Sequence, residues 1–175
     1  DAHNTAVGYR AGLLVSTGVE NTLIGSLAGD ALTATNENTA VGKSALSADT
    51  LGSRSTAIGQ GTLATQNFTT ATQTYNTAVG FQAGNAVTTG INHTLIGGLA
   101  GFALTDADYN VAVGYAALTT DTKGSRSVAI GNLALATQNF TTATDAYNVA
   151  VGYNAGIAIT TGTQNTLIGA RAGDA

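Results

Sequence analysis

Asn4-Thr5-Ala6-Val7-Gly8, Asn21-Thr22-Leu23-Ile24-Gly25, Asn38-Thr39-Ala40-Val41-Gly42 and Ser55-Thr56-Ala57-Ile58-Gly59 are four versions of one five-residue motif. The motif occurs ten times in the 175 residues, ending at Gly8, Gly25, Gly42, Gly59, Gly80, Gly97, Gly114, Gly131, Gly152 and Gly169. Successive glycines are 17, 17, 17 and 21 residues apart, and this series repeats, so a 72-residue unit contains four shorter ones. Residues 1–72 and 73–144 align without gaps at about 45 identities, and 145–175 open a third copy. A fixed short period of this kind marks a repeat architecture, in which each unit contacts only its neighbours.

A 17-residue unit is too short for two helices and a turn, since helical repeats take roughly 33–47 residues. Thr, Val and Ile favour strands. Alternation within the motif separates two columns. One is Val7, Ile24, Val41, Ile58, Val79, Ile96, Val113, Ile130, Val151 and Ile168, read as a core column. The other is Ala6, Leu23, Ala40, Ala57, Ala78, Leu95, Ala112, Ala129, Ala150 and Leu167. Three residues past each glycine stands Ala11, Ala28, Ala45, Thr62, Ala83, Ala100, Ala117, Ala134, Ala155 or Ala172, which predicts a second short strand folded back across a thin interior. The expected fold is therefore all-β, a parallel β-solenoid with 17/17/17/21-residue coils and a single repeat array over residues 1–175. Ten coils at about 4.8 Å each give a rod of roughly 48 Å.

Both columns are apolar, and a half-buried strand should carry polar residues on one face. One column fills the coil; the other needs a second surface, and a bundle of identical chains supplies one by symmetry. With no Met and no capping repeat at either end, the chain reads as an internal segment of a longer fibre.

Composition narrows the function. Charged residues are 9%, the net charge is −4, and Lys and Arg together number six, so nucleic acid is not an expected partner. No apolar run approaches a membrane span. Cys is absent, which removes disulfides and thiolate chemistry. His3 and His93 fall where other repeats carry different residues, and no carboxylate pair recurs at acid/base spacing. Asp106 and Asp108 lack the rest of a calcium loop. No enzyme, cofactor or metal is expected.

Ser125-Arg126-Ser127-Val128-Ala129-Ile130-Gly131-Asn132-Leu133-Ala134 resembles the head repeat of trimeric autotransporter adhesins. Asn4-Thr5-Ala6-Val7-Gly8-Tyr9, echoed at 76–84 and 148–156, is similar to repeat arrays of phage tail fibres and bacterial surface fibres. The resemblance spans essentially the whole chain. It implies a left-handed parallel β-roll, three associated chains with the motif Val and Ile lining their core, and an extracellular, cell-surface or virion location. The coil of that family runs about 14 residues, shorter than the 17 here.

The function expected is a rigid structural or adhesive fibre segment, a homotrimeric rod presenting loops for attachment, with lateral or end-to-end contacts to its own kind and a cell-surface glycan or protein as receptor. A self-assembling filament without a receptor shares the fold. An ice-binding solenoid is the weaker alternative, because Val111, Val128 and Val149 interrupt the Thr column. A polysaccharide-cleaving β-helix would need clustered charged residues at one level of the rod.

The 21-residue coils carry four extra residues within Thr65–Thr72, repeated unchanged at 137–144. Insertions map to loops, so Phe68 and Phe140 are candidate surface contacts, with packing back onto the widened coil as the alternative. Tyr75 and Tyr147 are candidate stacking platforms. Asn67, Asn139 and Asn92 head glycosylation sequons. The recurring motif Asn is expected to form an amide ladder or to bond turn backbone. Arg54 and Arg126 are read as partners of Asp49 and Asp121.

Overall fold

A computed structural model describes residues 2–174. The main wall is one parallel sheet of ten three-residue strands, one per coil. They are β1 (Thr5–Val7), β2 (Thr22–Ile24), β3 (Thr39–Val41), β5 (Thr56–Ile58), β7 (Thr77–Val79), β8 (Thr94–Ile96), β9 (Val111–Val113), β11 (Val128–Ile130), β13 (Val149–Val151) and β14 (Thr166–Ile168). Each strand pairs in register with the next, Val41 facing Ile58 and Ile58 facing Val79. Two further pairs stand on the other side of the widened coils. They are β4 (Gly52–Ser53) with β6 (Thr72–Gln73), and β10 (Gly124–Ser125) with β12 (Thr144–Asp145). The parallel β-solenoid expected from the spacing is the fold, with about ten turns and no helix among the described residues.

The second wall differs from expectation. Within the column Ala28 and Ala45 are fully buried, while Ala11 and Ala172 near the ends are partly so, and the column lies in turns, not in a strand. Backbone bonds still join the coils there, as when Gly12 N–H donates to Ala28 O and Gly29 N–H to Ala45 O. The chain achieves this tight path with left-handed residues in every coil, including Leu46 at φ 54° and Leu63 at φ 46°. Such a φ is costly for a residue with a Cβ. Stacking repays it by burying the leucine completely.

The motif glycine has a separate cause. Gly42 sits at φ +134°, and a Cβ there would lie 2.5 Å from Gly59 O in the next coil. Only glycine permits coil-to-coil contact at this corner.

The interior is the Ala/Leu column. Leu23, Ala40, Ala57, Ala78 and Leu95 are fully buried or nearly so. The Val/Ile column does not line it: these side chains point outward from the same strands, and Ile58 is 39% exposed where its neighbour Ala57 is 0%. The reading of Val7 through Ile168 as a core column is thus corrected for the single chain.

In six of the coils three interior slots trade volume, whereas the coils with Gly12, Gly84 and Gly156 keep alanine on the strand and the space beside the glycine is met by leucines of adjacent coils, Leu23, Leu63 with Leu95, and Leu135 with Leu167. Coils with Gly29 or Gly101 four residues past the motif glycine have leucine on the strand (Leu23, Leu95) and leucine again at Leu32 or Leu104. A Cβ at Gly101 would lie 2.7 Å from Leu95 Cδ2 and 2.9 Å from Leu104 Cδ1. Coils with Leu46, Leu63, Leu118 or Leu135 in that slot have alanine on the strand, and the third slot becomes Asp49, Gln66, Asp121 or Gln138. Close-packed interiors enforce such compensation.

Candidate functional site

The motif asparagines form the buried spine of the rod. Asn38 Oδ1 accepts the Ser55 N–H at 2.8 Å, and its Nδ2 donates to Gly52 O at 2.9 Å. The same two bonds recur at Asn21, Asn76 and Asn110. Each asparagine therefore ties its own coil to the strand start and to the opposite wall of the next. Direct amide–amide contact occurs at Asn21 with Asn4 and at Asn165 with Asn148, so both expected bonding modes are present. His93 takes the slot in one coil. Its Nε2 meets Ala107 O at 2.8 Å and its Nδ1 accepts the Asn110 N–H at 3.3 Å. Burial pushes its pKa down to about 4, so the ring is neutral.

The widened coils hold a buried polar network. Gln66 Nε2 donates to Asp49 Oδ2 (2.6 Å) and Ser55 Oγ (3.0 Å), while its Oε1 accepts from Asn76 Nδ2 (2.9 Å). Asp49 Oδ1 accepts the N–H groups of Gly52 and Phe68. Burial raises the Asp49 carboxyl above its ordinary range, against the pull of these hydrogen bonds. Asp121, Gln138, Ser127 and Asn148 repeat the arrangement. Asp49 and Asp121 are consequently not the partners of the arginines. Arg54 pairs instead with Glu37 at 3.2 Å and Arg126 with Asp145 at 2.9 Å.

Phe68 and Phe140, expected at protruding loop tips, are 6% exposed. Each starts a four-residue insertion and covers the widened coil, because its own N–H is held by the buried aspartate. The exposed tips are Thr69–Ala71 and residues 141–143. Tyr75 and Tyr147 are half exposed. They lie on one edge with Arg54 and Arg126. The Arg126 guanidinium stands 4.8 Å from the Tyr109 ring and 5.9 Å from that of Tyr147. The sequon residues Asn67 and Asn139 are exposed, and their Oδ1 atoms accept from Thr50 and Thr122 hydroxyls. Asn92 is half-buried at φ 60°.

The outward face of the ten-stranded sheet carries exposed apolar side chains with no partner among the described residues. Ile24, Ile58, Ile96 and Ile130 form its ridge beside the Thr22, Thr39, Thr56 and Thr77 column, and Tyr9, Phe81, Tyr115 and Tyr153 flank it. Sequence showed this ridge but not its side of the wall. The missing signal was the pairing of strand leucines Leu23 and Leu95 with Gly29 and Gly101, and of strand alanines with Leu46, Leu63, Leu118 and Leu135, which in those coils marks the Ala/Leu column as the enclosed one. No family model, curated protein or solved structure matches this chain.

Proposed function

We propose that this chain is a segment of an extracellular or virion fibre, a stiff homotrimeric rod that holds attachment surfaces away from its base. The outward Val/Ile ridge carries this reading. A continuous apolar stripe along ten strands is a surface that soluble monomers rarely leave open. A parallel arrangement of identical chains covers it by symmetry, with like levels meeting along the axis. The resemblance to trimeric adhesin heads supports three chains. The stiffness comes from the ladder of inter-coil hydrogen bonds and the asparagine spine, and stacked edges offer repeated weak contacts that add through multivalency.

The absence of cysteine gives a clean test. Ile96→Cys at mid-ridge should form an inter-chain disulfide under mild oxidation, whereas Thr69→Cys on a loop tip should remain a free thiol. An Ile96→Cys chain that stays monomeric on non-reducing gels contradicts the proposal.

A further inference from the structure

Beside the first widened coil lies a groove of about 200 Å³, lined by Ala34, Asn36, Glu37, Ser53, Arg54 and Gln73 among others. Its polar groups are fixed from within. Arg54 Nε and Nη2 donate to Glu37, Nη1 donates to Gln73 Oε1 (2.9 Å) and contacts the Tyr75 hydroxyl (2.7 Å), and that hydroxyl donates to Gln73 Oε1 (2.6 Å). Asn36 Oδ1 is taken by the Val19 N–H. These bonds set the orientation of both amides. They leave Asn36 Nδ2 and Gln73 Nε2 as donors without a partner among the described residues, beside a Glu37 carboxylate with acceptor capacity remaining. The Ala34 and Ala71 methyls add small apolar surface, and the half-exposed Tyr75, whose hydroxyl bonds the lining residues Arg54 and Gln73, has the Arg54 guanidinium 5.6 Å from its ring centroid.

We propose that this groove binds one neutral hexose unit of a glycan. Both donors and acceptors are presented together, as a polyhydroxylated ring requires, and the Ala34 and Ala71 methyls offer a small apolar surface for its C–H groups. A simple anion is disfavoured, because Glu37 already neutralises Arg54 in a chain of net charge −4. The second 72-residue unit carries Asp106, Asp108 and Asp145 where the first has Ala34, Asn36 and Gln73, and Tyr109 in place of Glu37. That second position lacks the amide donors, so the hexose site is confined to the first unit. The proposal names a ligand for the attachment reading and rests on it for purpose, but the groove lies within one chain and needs no bundle.

The test is titration of the intact protein with methyl β-D-galactopyranoside, methyl β-D-glucopyranoside, methyl α-D-mannopyranoside and N-acetylneuraminic acid. It is followed through the side-chain amide signals of Asn36 and Gln73 and the Tyr75 ring. At least one neutral glycoside should shift all three. The double variant N36D/Q73D, matching Asp108 and Asp145 of the second unit, and separately N36A/Q73A, which adds no charge beside Glu37, should each weaken that binding at least tenfold, with circular dichroism showing that the fold is retained. No shift with any neutral glycoside, undiminished binding by both folded double variants, or response to N-acetylneuraminic acid alone would overturn the proposal. Sedimentation of the same sample separates the two readings: a monomer that binds loses only the bundle, and a trimer that does not bind loses only the groove.

Discussion

His93 shows how far one position in the spine can be exchanged. Asparagine fills this slot in seven of ten coils, giving one acceptor and one donor to the next coil. Imidazole does the same only when neutral, since Nδ1 must accept the Asn110 N–H. Its pKa of about 4 in the fold lies below the 6.5 of the free side chain. The unfolded chain therefore binds the proton more readily. The stability that neutral His93 contributes is complete above pH 6.5 and is lost as pH falls from there toward 4, by ~3 kcal/mol in total. Asp49, raised by burial, acts in the opposite direction, because its folded form gains relative stability on protonation. The comparison that isolates His93 is His93→Asn, which should abolish the loss between pH 6.5 and 4 in denaturant melts while leaving neutral stability nearly unchanged. An identical pH profile in the variant would exclude a buried neutral histidine.

At the scale of a coil, the trade between strand alanine and Leu46 makes a quantitative demand. Ala40→Leu places a leucine against the existing Leu46 and should destabilise by about 1–3 kcal/mol through overpacking. Adding Leu46→Gly should recover much of that loss, since glycine also relieves the left-handed φ of 54° at this residue. If thermal melts find the double variant worse than either single one, the interior is not filled in the way described. This trade also explains what was readable in the sequence. The glycine spacing set the coil length, the strand positions and the in-register stacking, because each has a strict period. The side of the wall on which Ile58 lies was not readable from alternation, since Ala57 and Ile58 are both apolar. For Phe68 the sequence offered both a surface contact and packing back onto the widened coil; what it did not show was the anchor, because Asp49, which holds the Phe68 N–H, lies one coil earlier and looks from local sequence like an arginine partner. The groove was invisible for the same cause, being built from Asn36, Arg54 and Gln73 on three successive coils.

Across the whole molecule, the two apolar columns have separate destinations. Alanine and leucine close the protomer; valine and isoleucine remain on a flat outward wall. The core of the chain is thin, so the outward ridge offers a large share of the burial that the proposed bundle would gain. Mutating the ridge should thus affect association before it affects the coil. Sedimentation equilibrium of the unmodified chain at micromolar concentration addresses this most directly. The account predicts a particle of three chains, about 52 kDa from a 17.3 kDa protomer, that keeps its β signature on dilution; a stable species of one chain mass with the ridge open to water would contradict it.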